Sequence, residues 1–118
     1  MDAIADRRLE LRIQSDSIEV IVSLARPQQV GPDEWKCEYE VKFGDSGTIR
    51  AAHGGDSLQA LQLSMVSIDG ELERGAQRRG GQLFHLGEPF NSILENSGMQ
   101  PRSSADSPNR DAPNNRRE

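Results

Sequence analysis

This sequence of 118 residues has little of what many functional classes require. Its single cysteine, Cys37, excludes an internal disulfide and any zinc site built from several cysteines of one chain. Hydrophobic residues make up 34% and aromatic residues 4% of the chain, and no apolar run approaches the roughly 20 residues of a membrane span. The first residues, MDAIADRR, lack the basic-then-apolar order of a signal peptide. We therefore expect a cytoplasmic protein without membrane contact.

Basic residues are also scarce relative to acidic ones. Residues 1–98 carry 10 Lys and Arg against 16 Asp and Glu, and the whole chain has a net charge of −5. Nucleic-acid binding needs clustered Lys and Arg to displace counterions, so this balance argues against a nucleic-acid partner. Residues 99–118 contain no Ile, Leu, Val, Phe, Trp or Tyr. We predict a disordered polar tail there, after a single domain at 1–98.

What the sequence does contain is alternation at the period of a β-strand. Polar and apolar residues alternate in RRLELRI, SIEVIVSL and WKCEYEVKF, and TIRAAH is a shorter fourth strand. The short turns QSDS and GDSG favour antiparallel pairing, because parallel strands need long crossovers. Residues 25–34, which contain Pro27 and Pro32, are expected to form a loop. A fifth strand is predicted within 83–86, and a turn of helix within 89–94.

Residues 57–74 change to a helical period. Five apolar residues at spacings of 3 and 4 share one predicted face: Leu58, Leu61, Met65, Ile68 and Leu72. The sequence therefore predicts an α+β fold, an antiparallel meander of four to five strands with one amphipathic helix packed on one face. Leu63 and Val66 lie on the back of that helix, with Ala60 beside them. Residues 83–94, a second copy of the chain or another protein could cover this patch.

The stretch AAHGGDSLQAL, residues 51–61, has the residue types of a functional loop. Glycines before a helix can bind phosphate through free backbone N–H groups. Asp56, however, occupies the N-cap position, and Gln59 three residues later completes a pattern like a capping box. No lysine follows the glycines, as a phosphate-binding P-loop requires. We interpret the stretch as the start of a helix and predict no cofactor.

The two histidines are the remaining candidates for a polar site. His53 and His85, with Asp56, would make a small catalytic or metal site if folding brought them together. No local spacing typical of metal ligands supports this, so no metal and no catalytic residue is predicted. Cys37 lies on the apolar face of its strand, where a free cysteine packs as a small hydrophobe.

The polar face of the predicted sheet mixes both signs of charge. Its candidate contact residues are Arg8, Arg12, Glu38 and Glu40. One interpretation is a solvated face with cross-strand ion pairs of small energy. The other is a docking surface for a protein partner.

The motif series WKCEYEV, GGDSLQALQL, IDGELE and LFHLGE resembles an uncharacterised family of small bacterial proteins over roughly residues 7–90. This resemblance implies a β-meander followed by a helix, and no activity. GDSLQALQLS is also similar to the strand-to-helix junction of HicB-type antitoxins, although the DNA-binding appendage of many such antitoxins is missing. We expect a non-enzymatic protein-binding module of antitoxin or immunity type, with a protein partner or a homodimer. The alternative is a small enzyme or metal-binding protein that uses His53, Asp56 and His85.

Overall fold

The computed structural model describes residues 1–95, which form one antiparallel sheet with a long helix on one face. The strands are β1 (Ala3–Ile13), β2 (Asp16–Ala25), β3 (Gln28–Gly31), β4 (Glu34–Phe43), β5 (Ser46–Gly54), β6 (Gln82–His85) and β7 (Glu88–Pro89), and the helix is α1 (Ser57–Arg79). The predicted α+β class is confirmed. The end of the predicted domain, 96–98, and the predicted tail, 99–118, lie outside the described residues.

The strand order combines four tight hairpins with a return of the chain through α1, after which β6 pairs with β1. From one edge to the other the order is β5, β4, β2, β1, β6 and β7. Because β5 pairs with β4 from Trp35↔Gly54 to Phe43↔Ser46, the short β3 pairs with the other edge of β4, in line with β2. The hairpin turns have two residues each, and every turn contains a positive φ, at Gln14, Asp33, Gly44, and both Leu86 and Gly87. The turns that begin at Gln14, Gly44 and Leu86 have a positive φ at their first residue, as in the hairpin turns that match the right-handed twist of paired strands, whereas the Pro32–Asp33 turn has it only at its second residue.

Two short segments differ from the prediction. Residues 25–34, expected to be a loop, contain β3, because the chain resumes pairing with β4 after Pro27, at Gln28↔Lys36. The turn of helix expected within 89–94 is wrong for the described residues, which form the β6–β7 hairpin followed by a turn at 93–94. Pro89 is compatible with β7 because this strand lies at the sheet edge, where a missing N–H costs no ladder bond.

The core lies between α1 and the inner face of the sheet. The inward positions predicted for β1, β2 and β4 are at most 8% exposed at Leu9, Leu11, Val20, Val22, Cys37, Tyr39, Val41 and Phe43. Leu83 and Phe90 extend this cluster beyond β1, and Ile68 and Leu72 of the helix close it from above. Alternation along the strands therefore predicted the sheet side of the core correctly.

The first turns of α1 contact the sheet through small side chains. Leu58, predicted to be in the core, is 61% exposed, whereas Ala60 and Ser64 are fully buried. The first turns of the helix approach the end of β5 so closely that a Cβ placed on Gly54 would lie 2.6 Å from the Ala60 nitrogen. This spacing leaves no room for a leucine side chain between the helix and the sheet. The Ser64 hydroxyl donates to the Cys37 carbonyl at 2.9 Å. The predicted stripe is thus correct at Ile68 and Leu72 and wrong at Leu58, and Ala60 does not lie on the back of the helix.

Candidate anion-binding groove

The two histidines lie on different parts of the sheet. His53 is on β5 and His85 is on β6, with β4, β2 and β1 between them. At a strand spacing of about 4.8 Å, this separates their backbones by roughly 19 Å. His85 packs edge-on against Phe90, with ring centroids 6.2 Å apart. No group of three His, Cys, Asp or Glu side chains suited to a metal occurs among residues 1–95, and the two histidines share no site.

Asp56 is the N-cap of α1, as predicted. Its carboxylate accepts a hydrogen bond from the Gln59 N–H at 2.7 Å, and the Gln59 side chain accepts one from the Gly55 N–H at 2.6 Å. In a capping box the returning side chain bonds the N-cap residue itself, whereas here it bonds the preceding residue. The Asp56 carboxylate therefore occupies the place that an anion would need.

The charged outer face of the sheet neutralises most of its own charge. Its ion pairs are Arg8–Glu19 at 3.1 Å, Arg12–Glu10 at 2.9 Å and Lys36–Glu38 at 3.7 Å. The Arg12 guanidinium also lies 3.9 Å from the centre of the Phe84 ring. Of the four contact residues proposed on this face, only Glu40 has no ion pair or hydrogen bond among the described residues. This face has the features of a solvated surface.

Leu63 and Val66 on α1 remain 42% and 56% exposed. The C-terminal segment that was one candidate to cover them packs on another flank of the helix. There, Asp69 accepts hydrogen bonds from the Ser92 hydroxyl and, at 2.8 Å, from the Ile93 N–H. Within the described part of the chain, residues 83–94 therefore do not cover this apolar pair.

An open groove of about 710 Å³ adjoins Val66 and runs between α1 and β5. Tyr39, Val41 and Phe43 form its floor. Ser46, Thr48 and Arg50 line the β5 wall, and the helix wall includes Ser67, Gly70, Glu71, Arg74 and Arg78. The β4–β5 register pairs Arg50 with Tyr39, which places both side chains on the helix side of the sheet.

The groove is basic, although the domain as a whole is acidic. Four arginines and one glutamate line it, against 10 basic and 16 acidic residues in 1–98. Arg79 is engaged, since its guanidinium lies 4.2 Å from the Phe43 ring centre and donates to the Gly75 carbonyl. Arg74 and Arg78 have no ion pair or hydrogen bond among the residues that the structure describes. Two cations spaced four residues apart are therefore available on one helix wall.

The positions of these two arginines have different causes. Arg78 lies in the last turn of α1, where a cation interacts favourably with the helix dipole. Arg74 lies one turn earlier, where that effect has faded. A Cβ on Gly70 would lie 3.0 Å from Arg74 Nη1, so the guanidinium folds back over the glycine along the groove. The dipole accounts for Arg78, whereas no contact among residues 1–95 gives Arg74 a structural role.

Glu71, the one acidic residue in the groove, is already engaged by two neighbours. It accepts a hydrogen bond from the Tyr39 hydroxyl at 3.0 Å, and Arg50 Nε lies 3.4 Å from the same carboxylate oxygen. Burial raises the pKa of Tyr39 above 10.0, a hydrogen bond with Ser67 lowers it, and the bond to Glu71 raises it again. Because Glu71 is held by Tyr39 and Arg50, it does not compensate the charges of Arg74 and Arg78, which have no other ion-pairing partner within residues 1–95.

Sequence reasoning missed this groove. The available signal was the four-residue spacing of Arg74 and Arg78, which places both on one helix face. Arg50 carried no such signal, because the face it occupies depends on the pairing register of β5 with β4.

The fold and the groove define a small α+β domain with a helix-covered antiparallel sheet. A family model described as Domain of unknown function (DUF6968) matches residues 5–93, and the chain belongs to this family. The predicted membership of an uncharacterised family is confirmed, whereas the likeness to HicB-type antitoxins stays a prediction. The curated proteins and the solved structures gave no match. In residues 1–95 no helix is long and apolar enough to cross a membrane.

Proposed function

We propose that this domain is a non-enzymatic protein-binding module that holds an acidic segment of a partner protein in the groove between α1 and β5. The observation that carries the proposal is the pair Arg74 and Arg78. Both line the groove, and neither has an ion-pairing partner within residues 1–95. Guanidinium groups bind carboxylates through charge-assisted, often bidentate hydrogen bonds. An acidic segment would supply the missing charge.

The shape of the groove supports a polypeptide ligand. Sites for small molecules usually enclose most of the ligand surface, whereas this groove is open along β5. The exposed apolar residues Val66, on its rim, and Leu63, one turn before, extend the surface. A partner with carboxylates beside an apolar side chain would match both features, since interfaces combine apolar contacts with complementary charge.

An antitoxin or immunity protein is one form of this function, in which the partner is a toxin. The β-meander followed by a helix supports that form. A cytoplasmic location is part of the proposal, and the free, buried Cys37 is consistent with a reducing compartment.

Selection from a phage-displayed random peptide library tests the proposal. The wild-type domain is expected to enrich peptides rich in Asp and Glu, because carboxylates complement the groove. The variant Arg74→Gln/Arg78→Gln is expected to lose these peptides. The control variant Arg7→Gln/Arg26→Gln removes the same charge from arginines that also lack ion pairs but lie outside the groove, and it should retain them.

Two results would contradict the proposal. One is enrichment of neutral or basic peptides on the wild-type domain. The other is equal binding of the selected acidic peptides by the wild type and the groove variant, with circular dichroism showing both to be folded.

A further inference from the structure

The sheet ends differently at its two edges. The strand at one edge, β7, has two residues, and one of them is Pro89, which has no N–H to donate. The strand at the other edge, β5, has nine residues and pairs with β4 without a register shift. No other described strand pairs with β5. Alternate residues of an antiparallel strand direct their N–H and C=O groups away from the neighbour, so β5 presents unpaired backbone groups along about 30 Å.

Within residues 1–95, β5 lacks most of the usual features that prevent strand addition, and its one such feature is the inward-pointing charge of Arg50, which is paired with Glu71. Natural edge strands are protected by proline, lysine, a bulge or a covering segment. The β5 sequence SGTIRAAHG contains no proline and no lysine, and seven of its nine residues are exposed. Its arginine, Arg50, faces the groove and lies beside Glu71. The free edge is therefore suited to pair with an extended polypeptide.

The positive charge of the groove indicates which kind of polypeptide can pair with β5. In a strand added beside β5, every second side chain would face the helix side and close the open side of the groove, near Arg74 and Arg78. A second copy of β5 would bring another Arg50 towards these arginines, and like charges so placed repel. Carboxylates in those positions would be attracted. The remaining side chains would lie on the outer face beside Ile49, which is 47% exposed.

We infer that the acidic partner segment binds as an extra β-strand on the free edge of β5, with every second residue acidic and directed at Arg74 and Arg78. This inference rests on the proposed function and adds the binding mode. It describes the partner as a protein with an extended segment in which carboxylates alternate with uncharged residues.

Backbone methylation of a defined peptide tests the inference. The probe is a capped peptide of nine residues, matched to β5, in which Glu and Thr alternate. One derivative is N-methylated at all Glu amides and a second at all Thr amides. Only one set of amides can donate to β5, so calorimetry is expected to show a loss of affinity of at least about tenfold for one derivative and little change for the other. The same peptide with Lys in place of Glu is expected not to bind.

Hydrogen exchange of the β5 amides is the second measurement. The unmodified peptide is expected to protect alternate amides of β5. Equal affinity of the two methylated derivatives, without this protection, would overturn strand addition, and so would the absence of binding by the unmodified peptide. If the free chain forms a dimer in which the β5 amides are protected, the strand added to β5 belongs to a second copy of this chain. That result would overturn the inference of an acidic partner segment. The proposed function is judged separately, by whether binding of the phage-selected acidic peptides requires Arg74 and Arg78.

Discussion

Tyr39 links the hydrophobic core to the groove. It is the single tyrosine of the sequence, and its side chain is 5% exposed. The ring packs in the core cluster, while the hydroxyl donates to Glu71 at 3.0 Å. A buried hydroxyl needs a hydrogen-bond partner, so Glu71 satisfies Tyr39 at the same time as it pairs with Arg50. One side chain thereby couples packing to the charge distribution of the groove.

The raised pKa of Tyr39 predicts a pH dependence of stability. Below 10.0, the ordinary pKa, the favourable contribution of the neutral hydroxyl is fully present. As the pH rises through the higher folded pKa, the unfolded chain loses its proton first, so the free energy of unfolding falls. Tyr39→Phe is expected to remove this part of the decline, measured by urea unfolding across alkaline pH. A phenolate absorbance titration of the folded wild type with a midpoint at or below 10.0 would contradict the prediction.

The packing of α1 on β4 depends on a glycine at one contact. A Cβ placed on Gly75 would lie 2.3 Å from Phe43 Cζ, inside the ring's van der Waals surface. The Phe43 ring also carries the Arg79 guanidinium, 4.2 Å from its centre. The absence of a side chain at Gly75 therefore sets how closely the helix approaches the sheet at the end of the groove.

Two alanine substitutions on this helix are expected to have different effects. Gly75→Ala should lower the free energy of unfolding by about 1–2 kcal/mol, because an overpacking cost near the upper end of about 1–3 kcal/mol outweighs the helix-propensity gain of about 1 kcal/mol. Gly70→Ala, the matched control, should be neutral or stabilising by up to about 1 kcal/mol, because its Cβ would meet only the mobile end of Arg74. Urea unfolding with unchanged m-values measures both. Equal stability of the two variants would contradict this account of the contact.

The whole molecule combines an acidic body with one basic groove. The groove carries four arginines, which are part of the 10 basic residues in 1–98. The outer face holds paired charges of both signs, with Arg8–Glu19, Arg12–Glu10 and Lys36–Glu38 as its ion pairs. Long-range attraction to a polyanion depends on the summed charge, whereas binding of a short carboxylate segment depends on the local charge. The net charge of the domain therefore disfavours a polyanion, whereas the local charge of the groove favours a short acidic segment.

We expect the domain to bind no duplex DNA at physiological salt. Sixteen acidic residues in 1–98 repel the phosphate backbone, and the few arginines of one groove cannot replace enough counterions. Fluorescence anisotropy of a labelled duplex tests this, with the acidic nine-residue peptide as the positive control on the same sample. DNA binding that weakens steeply with added salt would contradict this expectation.

The local features of the fold could be predicted because each depends on residues close together in the chain. Alternation from Trp35 to Phe43 determines which side chains share a face of β4, and this prediction is confirmed by their burial. Asp56 and Gln59 determine where α1 begins, since a cap needs only the first turn of its own helix. The turns at 14–15 and 44–45 follow from the short polar stretches QSDS and GDSG.

Periodicity and capping act over a few residues, and the sequence alone therefore predicts β1, β2, β4, β5 and β6, the start of α1 and the α+β class, but not β3 or β7. Tertiary structure decided how closely the helix approaches the sheet, which buried Ala60 and exposed Leu58. It also decided the β4–β5 register and, with it, the meeting of Arg50 with Glu71 across the groove. The pair Arg74 and Arg78 became a candidate site only there, because whether a charge is compensated depends on residues distant in the chain.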